Sequence, residues 1–295
     1  MDAEERARRF AAEEAVRRKV LPRIQTETLA EIVKQLDIAE SAVEAQLRAK
    51  PTESAQRRLR ALLAEIERTL EDFRQAATSA ALLGDNRAWA AGQATIVEPF
   101  AAAGVSLSSL RIDSQALMSS RKFLTDRITD LSTRALNRLN GSLVQHVIGA
   151  TPLSDTVTEV QTILGGVPRS GAMRVAYTEI GRVHSVAQDA RLQEAGKIVP
   201  GLRKRWLKSG KRYPRLDHVR AHNQIVAYDQ PFLVGGEELQ FPRDPKASAR
   251  NSINCGCLSA PVVDGSSFGA STVRMDDDGG AMIVRDDGRI VRNLP

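Results

Sequence analysis

The sequence predicts an α+β protein in which a long helical N-terminal region, a helical hairpin or bundle, precedes a compact mixed α+β module with short strands. Two observations support this. Ala, Leu, Arg, Glu and Gln crowd the first half while aromatic residues make up only 4% of the chain, a balance that favours long helices. After Pro200 short apolar runs alternate with Gly and Pro, which is typical of short strands. The 295 residues, 42% of them apolar, suffice for one large or two ordinary domains.

The first part of the chain is predicted to form a helical hairpin. A charged helix is expected over residues 1–21, ending before Pro22. Apolar residues three and four apart then form two stripes, at 29–47 and 59–73. Pro51 separates them, because the residue before a proline is pushed away from helical angles. Two such stripes joined by a short break predict an antiparallel hairpin over about residues 23–82, which is either an ordinary bundle core or a docking surface for partner helices.

Further helices are predicted up to residue 196. Glycines at 84 and 104 predict loops around a less regular stretch that contains Pro99. Helices are expected over about 113–148 and 155–164, and another from an N-cap at Ser170 to Gly196. The strands that follow are expected in the runs RKRWL, QIVAY, PFLV and LQF.

The last thirty or so residues predict a β-hairpin. Two short alternating runs flank Asp286-Asp287-Gly288, a sequence typical of a tight turn. Because an isolated hairpin is marginally stable, it is expected to pair with another strand. The predicted organisation is therefore a helical region at 1–165, a compact module at 166–263 and a C-terminal tail at 264–295.

Charge and cysteine content limit the partners and the compartment. Two cysteines in a Cys-x-Cys pair are too close to close a useful disulfide loop, which favours a reducing compartment. The charged N-terminus lacks a signal-peptide core, and no apolar run approaches the length of a bilayer span. We expect a soluble intracellular protein at synthesis, with no membrane partner.

A basic segment is a candidate DNA contact. The formal charge is +6, and nine Lys or Arg residues lie between Lys197 and Arg220 against the single acid Asp217. Trp206 and Tyr213 are available to stack on bases. A solvated basic face explains the pattern equally well. The candidate DNA-contact residues are Arg203, Lys204, Arg205, Lys208, Lys211, Arg212 and Arg220.

The segment from Trp206 to Cys257 carries the most specific pattern in the chain. It contains Arg-x-x-His at Arg215, then Asp-x-Pro-Phe, Phe-Pro-x-Asp-Pro and finally Asn-Cys-x-Cys. In this order and spacing it resembles the C-terminal domain of the phage Mu F-like minor head proteins, also called phage head morphogenesis proteins, and the likeness begins near Arg174. The family's motif corresponds here to Trp206, Arg215, His218, Asp229, Phe232, Asp244, Pro245, Asn254, Cys255 and Cys257.

The resemblance implies a minor capsid protein of a tailed phage or prophage. Such a protein associates with the portal and assists head assembly, DNA packaging or DNA delivery. The implied partners are the portal protein, other capsid or scaffold proteins and double-stranded DNA bound without sequence preference. The implied location is the capsid interior or portal vertex of the virion, and the host cytoplasm during assembly.

Two positions depart from the family's pattern. His222-Asn223 stands where Asp-Gly or Asn-Gly is usual, so Asn223 must make a turn that glycine makes elsewhere, which its tolerance of left-handed angles permits. Gly256 replaces the usual Arg between the two cysteines, which puts any role of that Arg in doubt.

Three chemical interpretations remain for the motif's polar residues. His218, His222, Cys255 and Cys257 are a possible two-histidine, two-cysteine zinc site. Alternatively, a hydrogen-bonded cluster of Arg215, Asp217 and His218 holds the loops together without a cofactor, which is the arrangement we expect. The order of the motif then predicts that the His218 loop meets the Asn254–Cys257 segment. A metal-dependent hydrolase or nuclease built on His218, His222, Asp217 and Asp244 is the third. Because no His-Glu-x-x-His motif, phosphate loop or nucleophile elbow is present, we expect a protein that is not an enzyme.

Overall fold

The computed structural model describes residues 1–48, 55–107, 115–147, 150–263, 272–275, 281–284 and 290–294. It confirms the α+β class, with long helices first and short antiparallel strands after them. The helices are α1 (Ala3–Arg17), α2 (Val20–Arg48), α3 (Ala55–Ala102), α4 (Gln115–Val147), α5 (Leu153–Gly165), α6 (Val167–Arg174), a π-helix (Val175–Ile180), α7 (Gly181–Gly196), α8 (Leu216–Arg220) and α9 (Ala249–Ser252). The strands are β1 (Arg203–Leu207), β2 (Ile225–Ala227), β3 (Phe232–Val234), β4 (Glu237–Leu239), β5 (Leu258–Val262), β6 (Thr272–Met275), β7 (Ala281–Val284) and β8 (Ile290–Leu294).

Helix α3 is longer than the sequence suggests. It runs through Gly84, where a loop is predicted, and through Pro99 in its last turn. Gly84 has a packing role: a Cβ there would lie 2.4 Å from the Thr28 hydroxyl oxygen, so only glycine allows this close approach of α2. The predicted loop is therefore wrong, because that glycine serves helix packing and not a turn.

Two other predicted helix ends also differ. α1 already ends at Arg17, and Pro22 lies in the first turn of α2, where its missing N–H costs no hydrogen bond. Ser170 is not an N-cap, because it lies inside α6, whose N-cap is Gly166. The predicted end at Gly196 is confirmed.

The chain forms two compact units that alternate along the sequence. Unit 1 comprises Met1–Ile24, Asn86–Leu117 and Gly181–Pro295, and unit 2 comprises Gln25–Asp85 and Met118–Ile180. The predicted boundary between residues 165 and 166 falls inside unit 2.

Unit 2 contains the predicted hairpin. Val43 and Leu47 of α2 share one buried cluster with Leu62 and Ile66 of α3. The same cluster includes Leu139 and Leu143 of α4 and Val160 and Ile163 of α5. The stripes thus form a bundle core. Because Ile66 is 0% exposed, a docking surface on this hairpin would use residues other than those of the stripes.

Two of the apolar clusters among the described residues lie in unit 1. In one, the rings of Phe10 and Phe100 meet edge to face with centroids 5.0 Å apart, beside Leu192 and Ile198. The other lies inside the C-terminal module and is built on Trp206, Phe232, Val234, Leu239, Ala221, Cys255 and Cys257.

Short antiparallel sheets shape the C-terminal module. β1 lies between β2 and β5, and β3 pairs with β4, which covers Glu237–Leu239 instead of the run LQF. The predicted hairpin is confirmed as β7 and β8, and its additional partner is β6. The predicted turn at 286–288 and the DDDGG segment lie outside the described residues. Within the described chain, no helix combines the length and the apolar content that a membrane span requires.

Candidate functional site

The motif's two ends meet at His218. This side chain comes from α8, and its Nδ1 lies 3.2 Å from Cys257 Sγ and 3.6 Å from Cys255 Sγ. The two cysteines belong to the loop that leads into β5, and all three side chains are buried. The structure therefore brings together the histidine and the cysteines that the motif order places at opposite ends of the module.

Asn251 fixes the orientation and tautomer of His218. Its Oδ1 lies 3.2 Å from His218 Nε2, and its Nδ2 donates to the Val234 carbonyl at 3.3 Å. Since the amide nitrogen is used for the carbonyl, Oδ1 is the acceptor and Nε2 carries the proton. The lone pair of Nδ1 therefore faces the two sulfur atoms. Asn251 lies outside the motif, and its only signal in the sequence is that it is a polar residue four positions before Cys255.

Three basic side chains hold the cysteine loop. Each donates to one of three successive backbone carbonyls, so the loop is fixed by cations from different parts of the module. The three bonds are Arg215 Nη2 to Ile253 O at 2.5 Å, Lys211 Nζ to Asn254 O at 2.5 Å and Arg243 Nη1 to Cys255 O at 2.6 Å.

Arg243 holds the site together although it is not one of the motif's defined residues. It is 0% exposed and adopts a left-handed backbone conformation with φ of 68°. Its Nη2 donates to Ser185 Oγ at 3.0 Å, and its own carbonyl accepts from Arg182 Nε at 3.1 Å. Burial lowers the pKa of its guanidinium. A strained, buried arginine is retained only where surrounding contacts fix it.

The two thiols differ in acidity. A hydrogen bond from Cys257, together with the positive charge of Arg243, holds the pKa of Cys255 well below its usual range despite burial. The same pairing and burial raise the pKa of Cys257.

A basic cleft of about 180 Å³ reaches this site. Because Lys211 and Arg215 line it, the cleft suits a small anion or solvent. A Cβ at Gly256 would lie 2.9 Å from Ser209 Cβ, so the residue that replaces the family's usual Arg allows a close approach of the two loops. The other lining residues are Ser209, Tyr213, Pro214, His218, Asn254 and Cys255.

His222 does not join the cluster. α8 ends at Arg220, and His222 is an exposed residue whose Nδ1 accepts from the Lys208 backbone N–H at 3.3 Å. The prediction that His222 is a ligand of a two-histidine, two-cysteine zinc site is therefore wrong. Asn223, its neighbour, has φ of 66°, which confirms the predicted left-handed turn.

The acidic residues of the motif have structural roles. Asp217 pairs with Arg250 at 2.6 Å, so the predicted cluster of Arg215, Asp217 and His218 is divided. Asp244 is buried, and its two oxygens accept from the backbone N–H groups of Gln240 and Lys246. Asp229 and Pro245 are exposed.

Two predicted DNA-facing side chains point inward. In β1 the alternation places Lys204 and Trp206 on the buried face, both 0% exposed. Lys204 Nζ donates to the backbone and side-chain oxygens of Gln240, both at 2.9 Å, and lies 3.6 Å from Asp189. Lys204 and Trp206 are therefore wrong as nucleic-acid contacts. The candidates that remain on the surface are Arg203, Lys208, Lys211, Arg212 and Arg220, with Arg205 half-buried.

Comparisons with known proteins give two partial matches. The chain is 29% identical over 148 residues to Uncharacterized protein YqbB of Bacillus subtilis (strain 168), which covers 49% of this chain and 44% of YqbB. It is 32% identical over 94 residues to NAD(+)--arginine ADP-ribosyltransferase EFV of Enterococcus faecalis (strain ATCC 700802 / V583), which covers 32% of this chain and 19% of that enzyme. The chain thus matches less than half the length of each relative. No protein-family model matches it. No solved structure matches it significantly.

Proposed function

We propose that this protein is a minor capsid protein of a tailed phage or prophage, associated with the portal and active in head assembly, DNA packaging or DNA delivery. The observation that carries the proposal is the ordered motif from Trp206 to Cys257, which resembles the phage Mu F-like head proteins. Its members are scattered over 52 positions of sequence. In space, Trp206, Phe232 and the two cysteines share one apolar cluster, and His218 bonds to it.

The site residues favour an assembly role over catalysis. Asp244 and Asp217, which a hydrolase would use as metal ligands or bases, are engaged by loop amides and by Arg250. Such use is typical of carboxylates that hold loops. The activity in the name of the Enterococcus relative is not assigned to this chain, because the match covers only 19% of that enzyme.

DNA contact is proposed as an accessory activity. Arg203, Lys208, Arg212 and Arg220 are exposed. Non-specific binding through such residues depends on counterion release and needs no base-reading geometry. A protein in the interior of a packaged head would meet DNA at high density, so weak binding is sufficient. The proposed location is the virion, with the host cytoplasm as the site of assembly.

The test is quantitative mass spectrometry of particles purified from an induced strain that encodes the chain. We expect the chain to sediment with DNA-containing heads at a few copies for each set of major capsid subunits, and to remain with the portal after mild dissociation. A control preparation from a strain with the gene deleted identifies contaminants. Heads that contain abundant major capsid protein but no trace of this chain would contradict the proposal.

A further inference from the structure

We propose that His218, Cys255 and Cys257 form a binding site for a thiophilic divalent cation, with zinc as the natural occupant. The ligand atoms are His218 Nδ1 and the two Sγ atoms, which all lie within 4.8 Å of one another. Imidazole nitrogen and thiolate sulfur are the donors that Zn²⁺ prefers. This inference does not depend on the proposed function, since metal binding is measured on the isolated chain.

The distances fit a shared metal. Zn–S bonds of about 2.3 Å and a Zn–N bond of about 2.0 Å at a tetrahedral angle place nitrogen and sulfur about 3.5 Å apart. Nδ1 of His218 lies 3.2 Å from one sulfur and 3.6 Å from the other. The two nitrogen–sulfur distances therefore differ from that value by only a few tenths of an ångström.

One lone pair faces two sulfur atoms. Because Asn251 holds the proton on Nε2, Nδ1 offers a single acceptor site. That site can accept a linear hydrogen bond from one thiol only, yet both sulfur atoms are near it. A cation on the axis of the lone pair would be bound by both sulfur atoms at once, whereas a thiol hydrogen bond to Nδ1 engages one.

Neighbouring residues hold the proposed ligands in fixed orientations, as is usual around a bound metal ion. A ligating histidine ordinarily donates its second ring N–H to a fixed acceptor, and Asn251, itself anchored on Val234, supplies that acceptor. The Cys257 backbone N–H lies 3.4 Å from Cys255 Sγ and stabilises negative charge on it. The ring of Trp206 meets the His218 ring edge to face at 5.8 Å, which fixes the imidazole plane.

The charge of the ligands and the cleft beside them also suit a divalent cation. Two thiolates neutralise a divalent ion, and the thiol protons leave to solvent when the ion binds. Arg243 donates to the Cys255 carbonyl and places a positive charge beside the cysteine loop. The cleft lined by Ser209 and Lys211 also borders His218 and Cys255, so water or a small anion from it would serve as a fourth ligand.

The test uses the 295-residue chain without a polyhistidine tag. Metal content is measured by inductively coupled plasma mass spectrometry after purification without chelators. The protein is then stripped, confirmed to be folded by circular dichroism and titrated with Co²⁺ and Zn²⁺. We expect one zinc per chain, and with cobalt a thiolate charge-transfer band and the intense visible bands of a tetrahedral site, both displaced by one equivalent of zinc.

Matched variants identify the ligands. His222→Asn changes the exposed histidine next to the site and should leave the cobalt spectrum unchanged. Cys257→Ser should weaken the charge-transfer band, and the double change Cys255→Ser with Cys257→Ser should abolish it. If the cysteine variants do not fold, the wild-type measurements alone decide. Folded wild-type protein that contains only traces of zinc and shows no cobalt–thiolate band would overturn the proposal, as would a His222→Asn variant that loses the band.

Discussion

The amide of Asn251 holds the imidazole of His218, with Oδ1 3.2 Å from Nε2, and thereby aims the opposite ring nitrogen at the cysteine pair. Neither residue is notable alone, since buried polar side chains usually satisfy one another. Their combination is informative because it leaves a lone pair directed at two sulfur atoms. The junction of α8 with the cysteine loop is thus a defined chemical arrangement and not merely a contact between loops.

At position 243 a glycine should destabilise the protein less than an alanine, which is the reverse of the usual order of these two substitutions. Both Arg243→Ala and Arg243→Gly remove the bonds to Cys255 O and Ser185 Oγ. Only the glycine relieves the left-handed strain at φ of 68°. We expect both to destabilise the protein, with Arg243→Ala less stable than Arg243→Gly by about 1 kcal/mol. Urea unfolding measures the difference, and equal or reversed stabilities would show that the conformation costs nothing.

The apolar stripes of the predicted hairpin should contribute to the unfolding free energy as buried core residues do. Ile66 is fully buried in unit 2, whereas Ile38 of α2 is 54% exposed and serves as a matched control. Ile66→Ala should cost about 2–5 kcal/mol of unfolding free energy because it leaves a cavity. Ile38→Ala should change it by about 0.5 kcal/mol or less. Similar values for the two variants in chemical denaturation would contradict the burial described for α3.

Asp85 should make unit 2 sensitive to pH. Burial raises the pKa of its carboxyl to about 6 from 3.8, although Ser120 donates to it at 2.9 Å. The folded state therefore binds the proton more tightly, and stability falls as pH rises from 3.8 to about 6. The advantage of Asp85→Asn over wild type should grow through this window and then level off, by about 1–2 kcal/mol after screening. An advantage that is constant with pH would contradict the assignment.

Weak DNA binding should depend on the exposed basic residues of the module. A variant with Lys208, Arg212 and Arg220 changed to Ala removes three cations that lie on the surface. The slope of log affinity against log salt should become shallower by about 0.9 for each DNA phosphate that the variant no longer neutralises. Fluorescence anisotropy with labelled duplexes measures the slope. Tyr213→Phe, which keeps all charges, is the control. Binding by wild type that is insensitive to salt would contradict the electrostatic account.

Sequence order predicted the meeting of His218 with the cysteines, and helical periodicity predicted the hairpin of unit 2. Lys204 could not be predicted as buried, because its partners Asp189 and Gln240 are distant in sequence. Arg243 and Asn251 were missed for the same reason: their roles depend on contacts with β3, α7 and the cysteine loop. Gly84 predicts a loop, but it lies in a helix, because a turn and a close contact between helices both require a glycine.

The central claim is that the meeting of His218 with the Cys255 and Cys257 loop holds the C-terminal module together. The most direct measurement is the equilibrium unfolding of His218→Ala beside His222→Ala, the exposed histidine four residues later. With metal removed from both proteins, the account predicts a loss of about 2–4 kcal/mol for His218→Ala, as for other buried polar partners, and almost none for His222→Ala. A His218→Ala unfolding curve that superimposes on wild type would contradict it.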